Sequence, residues 1–107
     1  MSNTCPDKWV ILEFTSEKYG NFRKILSSWF GGYLNGDSWK LSSPIVRITE
    51  KDTYYEIVTE NSVYLCYKDL YGMSTYTYGV YNNILDAAKK KNITLLLFKE
   101  NEVTVSR

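Results

Sequence analysis

The chain contains no histidine. That absence removes Ser-His-Asp and Cys-His catalysis, and every zinc site that uses imidazole. Cysteine is scarce as well. Cys5 lies in a polar N-terminal stretch and Cys66 inside an apolar run. Two isolated thiols with no C-x-x-C pair form neither a four-thiolate metal site nor a disulfide framework, and both are expected to be reduced. Long hydrophobic runs are missing too. Apolar runs such as 95–98 fall far below membrane-spanning length, so no membrane association is expected. Residues 1–7 show no basic segment followed by an apolar one. No signal peptide is therefore expected, and the cytoplasm is the expected location. Charge of one sign is also lacking. The net charge is +1 and the acids and bases are interleaved, which weighs against phosphate backbones and anionic membranes as partners.

What remains is an ordinary globular composition with many aromatics. The 107 residues suit one domain, with residues 1–7 as a tail, and 44% hydrophobic residues suffice for a core. Ten residues are tyrosine and three are tryptophan. Such residues suit both strands and contact surfaces, because they are large and lose little rotamer entropy when fixed.

The clearest organisation is in the middle. Residues 45–50, 53–59 and 62–67 are rich in β-formers and are separated by Lys51-Asp52 and Glu60-Asn61, which predicts an antiparallel meander. Residues 9–14 read as a first strand buried on both faces, and 93–98 as a central strand, with 103–105 a short last one. A helix is expected over 78–91. Its apolar stripe is Val80, Tyr81, Ile84, Leu85 and Ala88, Thr75 or Thr77 caps its start, and Asn92 stops it. Residues 22–34 are ambiguous. Phe22, Ile25, Leu26, Trp29, Phe30 and Tyr33 fall at helical spacing, yet the same residues also suit a strand returning from the first in a hairpin. The fold class is α+β: a meander over 45–67 within an antiparallel or mixed sheet, with one main helix packed on one face. A second helix at 22–30 is one variant. If that segment is a strand, the alternative is a barrel-like sheet with a single helix.

No motif points to catalysis, a metal or a cofactor. Asp7, Glu13, Asp37, Glu50, Asp52, Glu56 and Asp69 show no acid–base spacing and read as solvated surface charge. The glycine-rich segment 31–39 lacks the Gly-Lys-Ser/Thr ending of a phosphate loop and the G-x-G-x-x-G of a dinucleotide site. It reads as a structural turn with aromatic anchors, or as a contact loop. Trp39 is expected to close one end of the core. Tyr64, Tyr67, Tyr71, Tyr76 and Tyr78, with Lys68, would make a base-stacking platform for single-stranded nucleic acid. Neutral net charge and the lack of an RNA-recognition signature place that second.

Trp29-Phe30-Gly31-Gly32-Tyr33-Leu34, then Gly36-Asp37-Ser38-Trp39-Lys40-Leu41-Ser42-Ser43, then Ser62-Val63-Tyr64 and Tyr71-Gly72, resemble small uncharacterised proteins of bacterial phages and mobile elements. The resemblance carries no assigned activity. It implies a bacterial host cytoplasm and a protein that binds and blocks a host or defence protein. The first expectation is thus a non-enzymatic protein-binding module, with a nucleic-acid-binding accessory protein as the alternative. The partner surface is expected in the two aromatic loops flanking the meander, at Tyr33, Asp37, Trp39, Tyr71, Tyr76 and Tyr78, with Tyr33, Tyr71 and Tyr76 exposed.

Overall fold

The computed structural model describes residues 3–32 and 36–103, with backbone only at 31, 32, 36 and 37. Among these residues eight strands form two four-stranded sheets, and a single α-helix lies on the outside of one of them. The class and the meander are as the sequence predicts, but the strands divide between two sheets rather than sharing one.

The segment Lys8–Ser16 (β2, after the two-residue β1 at Asn3–Thr4) turns back through residues 17–19 into Gly20–Gly32 (β3). The hairpin runs in register from Ser16 opposite Gly20 to Lys8 opposite Ser28. Gly20 adopts φ +76°, a left-handed conformation that closes such three-residue turns and that a side chain would strain. Residues 22–30 are therefore strand, not helix. The helical spacing arose because this strand buries both faces: Ile25 enters one core cluster and Leu26 the other. Apolar residues on both faces of a strand match a helical template as well as an alternating one.

Gly36–Leu41 (β4) pairs with β3, and the corner at Ser42, Ser43 and Pro44 carries the chain into the second sheet. Ser42 ends the first pairing with main chain and side chain together. Its N–H donates to the Ile25 carbonyl at 2.9 Å, and its hydroxyl accepts from the Ile25 N–H at 2.8 Å. The meander then follows as Ile45–Glu50 (β5), Tyr54–Thr59 (β6) and Val63–Tyr67 (β7). The second turn is at Glu60-Asn61 as predicted. The first is Asp52-Thr53, one residue later than expected, because Lys51 donates to the Tyr54 carbonyl at 2.8 Å. β1 adds in parallel to β7, which makes this sheet mixed.

The helix Thr75–Lys90 (α1) begins earlier than predicted. Ser74, not Thr75 or Thr77, is the cap, and its hydroxyl accepts from the Thr77 N–H at 3.2 Å. At the other end Asn92 takes φ 59°, with the Ile93 N–H closing on the Ala88 carbonyl at 2.9 Å, so it does terminate the helix. Thr94–Leu97 (β8) then joins the free edge of β2. A 3₁₀ turn at Glu100–Glu102 leads to buried Val103, which lies in a turn, and the rest of the strand predicted over 103–105 lies outside the described residues.

The result is three layers. The order β4-β3-β2-β8 makes the middle sheet, and β1-β7-β6-β5 the sheet on one side. Between the sheets lie Trp9, Ile11, Ile25, Tyr55, Ile57, Tyr64, Cys66, Phe98 and Val103. On the opposite face of the middle sheet, Val10, Leu12, Phe14 and Leu26 meet Val80, Tyr81 and Ile84 of α1. β2 is thus buried on both faces. Each large aliphatic or aromatic side chain so buried contributes roughly 1.5–3 kcal/mol.

Candidate contact surface

The six residues singled out by sequence fall into different settings. Tyr33 lies outside the described residues, and Asp37 is described only as backbone within β4. Trp39 stands on edge strand β4 and is 45% exposed, so it does not close the core as expected. The correction follows from register. Trp39 lies opposite Ser28, at the end of the middle sheet beyond the Leu26–Leu41 pair that meets the helix layer. Tyr76 and Tyr78 occupy the first turn of α1, 39% and 55% exposed. Trp39 lies across Ser28 from Lys8, whose ammonium is 4.0 Å from where a Cβ on Gly72 would stand.

Tyr71 does not belong with them. Its ring packs edge-on against Trp9 at 4.7 Å. Its hydroxyl donates to the Phe98 carbonyl and accepts from the Ile11 N–H, tying three segments together. Burial pushes its pKa up to about 12. The loop was expected to display this ring, but an isolated bridge to Trp9 and the bond from the Gly72 N–H to the Trp9 carbonyl turn it inward.

A pH dependence follows. Burial also raises the ionisations of Tyr55, Tyr64 and Cys66. In each case the fold favours the neutral form, so the unfolded chain ionises first and stability falls as pH rises. The melting temperature is expected to fall as pH rises through the ordinary thiol range and above it. Tyr71 adds its share between about pH 10, its unfolded value, and about 12. Tyr71→Phe should flatten that upper part of the curve, and an unchanged slope between pH 10 and 12 would show that the hydroxyl is not held in this way.

Among the described residues no group of three His, Cys, Asp or Glu converges as a metal site would require. Cys5 and Cys66 are both free thiols, one exposed and one buried. The reading of the carboxylates as solvated charge fails at one position. Glu13 is 7% exposed and pairs with Arg23, Nε to Oε2 at 3.2 Å, because the two face one another across β2 and β3. The guanidinium also lies 4.8 Å from the Phe98 ring centroid. This pair borders an open cleft of about 290 Å³ with Ile45, Val46 and Ile48 of β5. A larger cleft of about 900 Å³ sits where the β2–β3 turn meets the end of α1, lined by Lys18, Tyr19, Lys91 and Asn92 among others.

A surface the sequence reading passed over is the outer face of the meander sheet. Strand alternation sends Tyr55, Ile57, Tyr64 and Cys66 into the core, which leaves Tyr54, Val58, Val63, Leu65 and Tyr67 on the other side. Register groups them: Tyr54 opposite Tyr67, Glu56 opposite Leu65, Val58 opposite Val63. The Tyr54 and Tyr67 rings meet at 5.5 Å. None of the five belongs to either core cluster, and no helix or strand among the described residues packs over them. A one-side-solvated antiparallel sheet ordinarily alternates apolar with polar, whereas here Glu56 is the single polar residue in those three pairs. That pattern is the sequence signal that could have found the face.

The five rings of the base-stacking platform do not share a surface. Tyr64 and Tyr71 are held in the core, Tyr67 is on the outer face of the meander, and Tyr76 and Tyr78 are on the helix layer at the opposite side. No protein-family model matches the chain, and neither does any curated protein or solved structure.

Proposed function

We propose that the chain is a non-enzymatic protein-binding module that takes its partner on the outer face of β5–β7. The observation that carries this reading is the outward row of Tyr54, Val58, Val63, Leu65 and Tyr67, of which Tyr67 is exposed, the other four are half-buried, and none belongs to either core cluster. Two strands about 4.8 Å apart and five residues about 3.4 Å apart give it roughly 10 by 17 Å, and β5 beside it turns Arg47 and Thr49 to the same face. What sets the face apart is its composition, apolar at every outward position of β6 and β7 except Glu56, where a solvated antiparallel sheet face is ordinarily polar. Tyrosines at its end supply the large, rigid contact area typical of binding hot spots. The lack of histidine and the scatter of the carboxylates favour binding over catalysis. The narrower reading, a phage-encoded inhibitor of a host or defence protein, rests on the sequence resemblance alone and is carried with the proposal.

Leu65→Asp tests it. The side chain lies outside both cores but is half-buried and faces Glu56, so the new carboxylate should cost about 1–2 kcal/mol of stability and leave the chain folded, which its melting curve checks. Co-purification of the protein partner from cells that make the native chain should fall roughly thirtyfold or more, the effect of losing a hot spot. Undiminished capture by a folded Leu65→Asp variant would place the binding surface elsewhere.

A further inference from the structure

Resting on that reading, we infer that the occupant of the β5–β7 face is an amphipathic helix of the partner, with a lysine or arginine in the middle of its apolar stripe. Three observations point to it. The molecule already meets the same situation once: the middle sheet's outward apolar face is covered by α1, a 16-residue helix. The meander face fits a similar element, since a helix is about 10–12 Å across and roughly 11 residues span 17 Å. In plan the apolar patch on β6 and β7 is roughly 170 Å² from those strand spacings, short of the ~800 Å² each partner gives to a standard interface. A second copy of the chain laid flat on it therefore fits less well than a single helix.

Charge fixes the register of that helix. Glu56 sits at the centre, between Thr49 on β5 and Leu65 on β7. The ion pairs recorded among the described residues, Arg23–Glu13 and Lys68–Glu50, do not involve it. A cation in the helix's stripe meets it, surrounded by apolar contacts. Arg47, opposite Val58, and Lys51, which bonds to Tyr54, both stand on the β5 side. The helix accordingly turns an acidic margin toward β5 and an apolar one toward β7. Strand addition to the β5 edge is the less suitable mode, because the bulge between Ile45 and Arg47 breaks the edge ladder.

The test titrates ¹⁵N-labelled full-length protein with two capped amphipathic helical peptides of about 14 residues. They share a leucine stripe and differ only in a central Lys or Glu. Amide shifts should concentrate at Arg47, Thr49, Glu56, Val58, Val63, Leu65 and Tyr67. The Lys peptide should bind roughly fivefold tighter than the Glu peptide, as a partly exposed ion pair allows. Glu56→Gln should erase the preference and Glu56→Lys should invert it. Shifts centred on α1 or β4, or equal affinity for the two peptides, would overturn the inference. So would self-association abolished by Leu65→Asp, or a thymidine oligonucleotide moving the same amides. If Leu65→Asp abolishes partner capture while neither peptide binds, the docking face stands and the helix does not.

Discussion

Trp9→Ala is expected to lower stability by about 3–5 kcal/mol, the largest loss of any single substitution discussed for this chain. The indole is fully buried at the centre of the inter-sheet core. It lies edge-on to Tyr55 at 5.8 Å and to Tyr71 at 4.7 Å, and such pairs add to simple burial. Its Nε1–H donates to the Tyr67 carbonyl at 2.7 Å and so ties β2 to the end of β7. Truncation opens a cavity and leaves that carbonyl without its donor, a further cost of about 1 kcal/mol or more. Ser27, directly across on β3, is too small to refill the space, and its buried hydroxyl has no hydrogen-bond partner among the described residues. Trp9→Phe should recover much of the packing but not the hydrogen bond. Chemical denaturation would show the midpoint falling with an unchanged slope. A loss below about 1 kcal/mol would contradict the packing described, since surface substitutions cost that little.

Arg23→Ala is expected to cost about 3 kcal/mol, near the lower end for breaking a buried ion pair. It removes the guanidinium from a carboxylate that is nearly enclosed and from the face of Phe98. The paired change Glu13→Leu with Arg23→Leu should cost much less than Arg23→Ala alone, because the desolvation of both charges disappears together. A double variant as unstable as the single one would mean that the pair is tied to the fold by more than mutual compensation. The prediction is read as the difference between the two midpoints.

The elements were legible where one period dominated. The meander is legible from two-residue turns between β-rich runs and α1 from a helical stripe, and both stand, with α1 starting earlier than its stripe suggests. Segment 22–34 was ambiguous for a physical reason. A strand with a core on each side, Ile25 facing one and Leu26 the other, loses the alternation that identifies strands. The same double burial hid the division into two sheets, because an apolar β2 states that both faces are covered without saying by what. On the surface, glycine beside tyrosine suggested display at Tyr71, but its hydroxyl had partners three elements away that no local pattern records. Trp39 went the other way, since its exposure depends on where β4 runs past the helix layer. The apolar outer face of the meander was written in the residues between the core positions. Such a face has no local punctuation to mark it, unlike the glycine-rich loops, where contact residues most often lie.

The measurement that tests the central claim most directly places a photo-crosslinking residue at two positions in the full chain. One replaces Leu65, at the centre of the uncovered sheet face, and the other Tyr78, the most exposed ring among Trp39, Tyr76 and Tyr78. Each variant is irradiated in cells that make the protein, and the adducts are identified by mass spectrometry. A discrete protein adduct from position 65, with none from position 78, is the result predicted here. Adducts from position 78 alone, or nucleic-acid adducts from position 65, would contradict a protein-docking face on β5–β7.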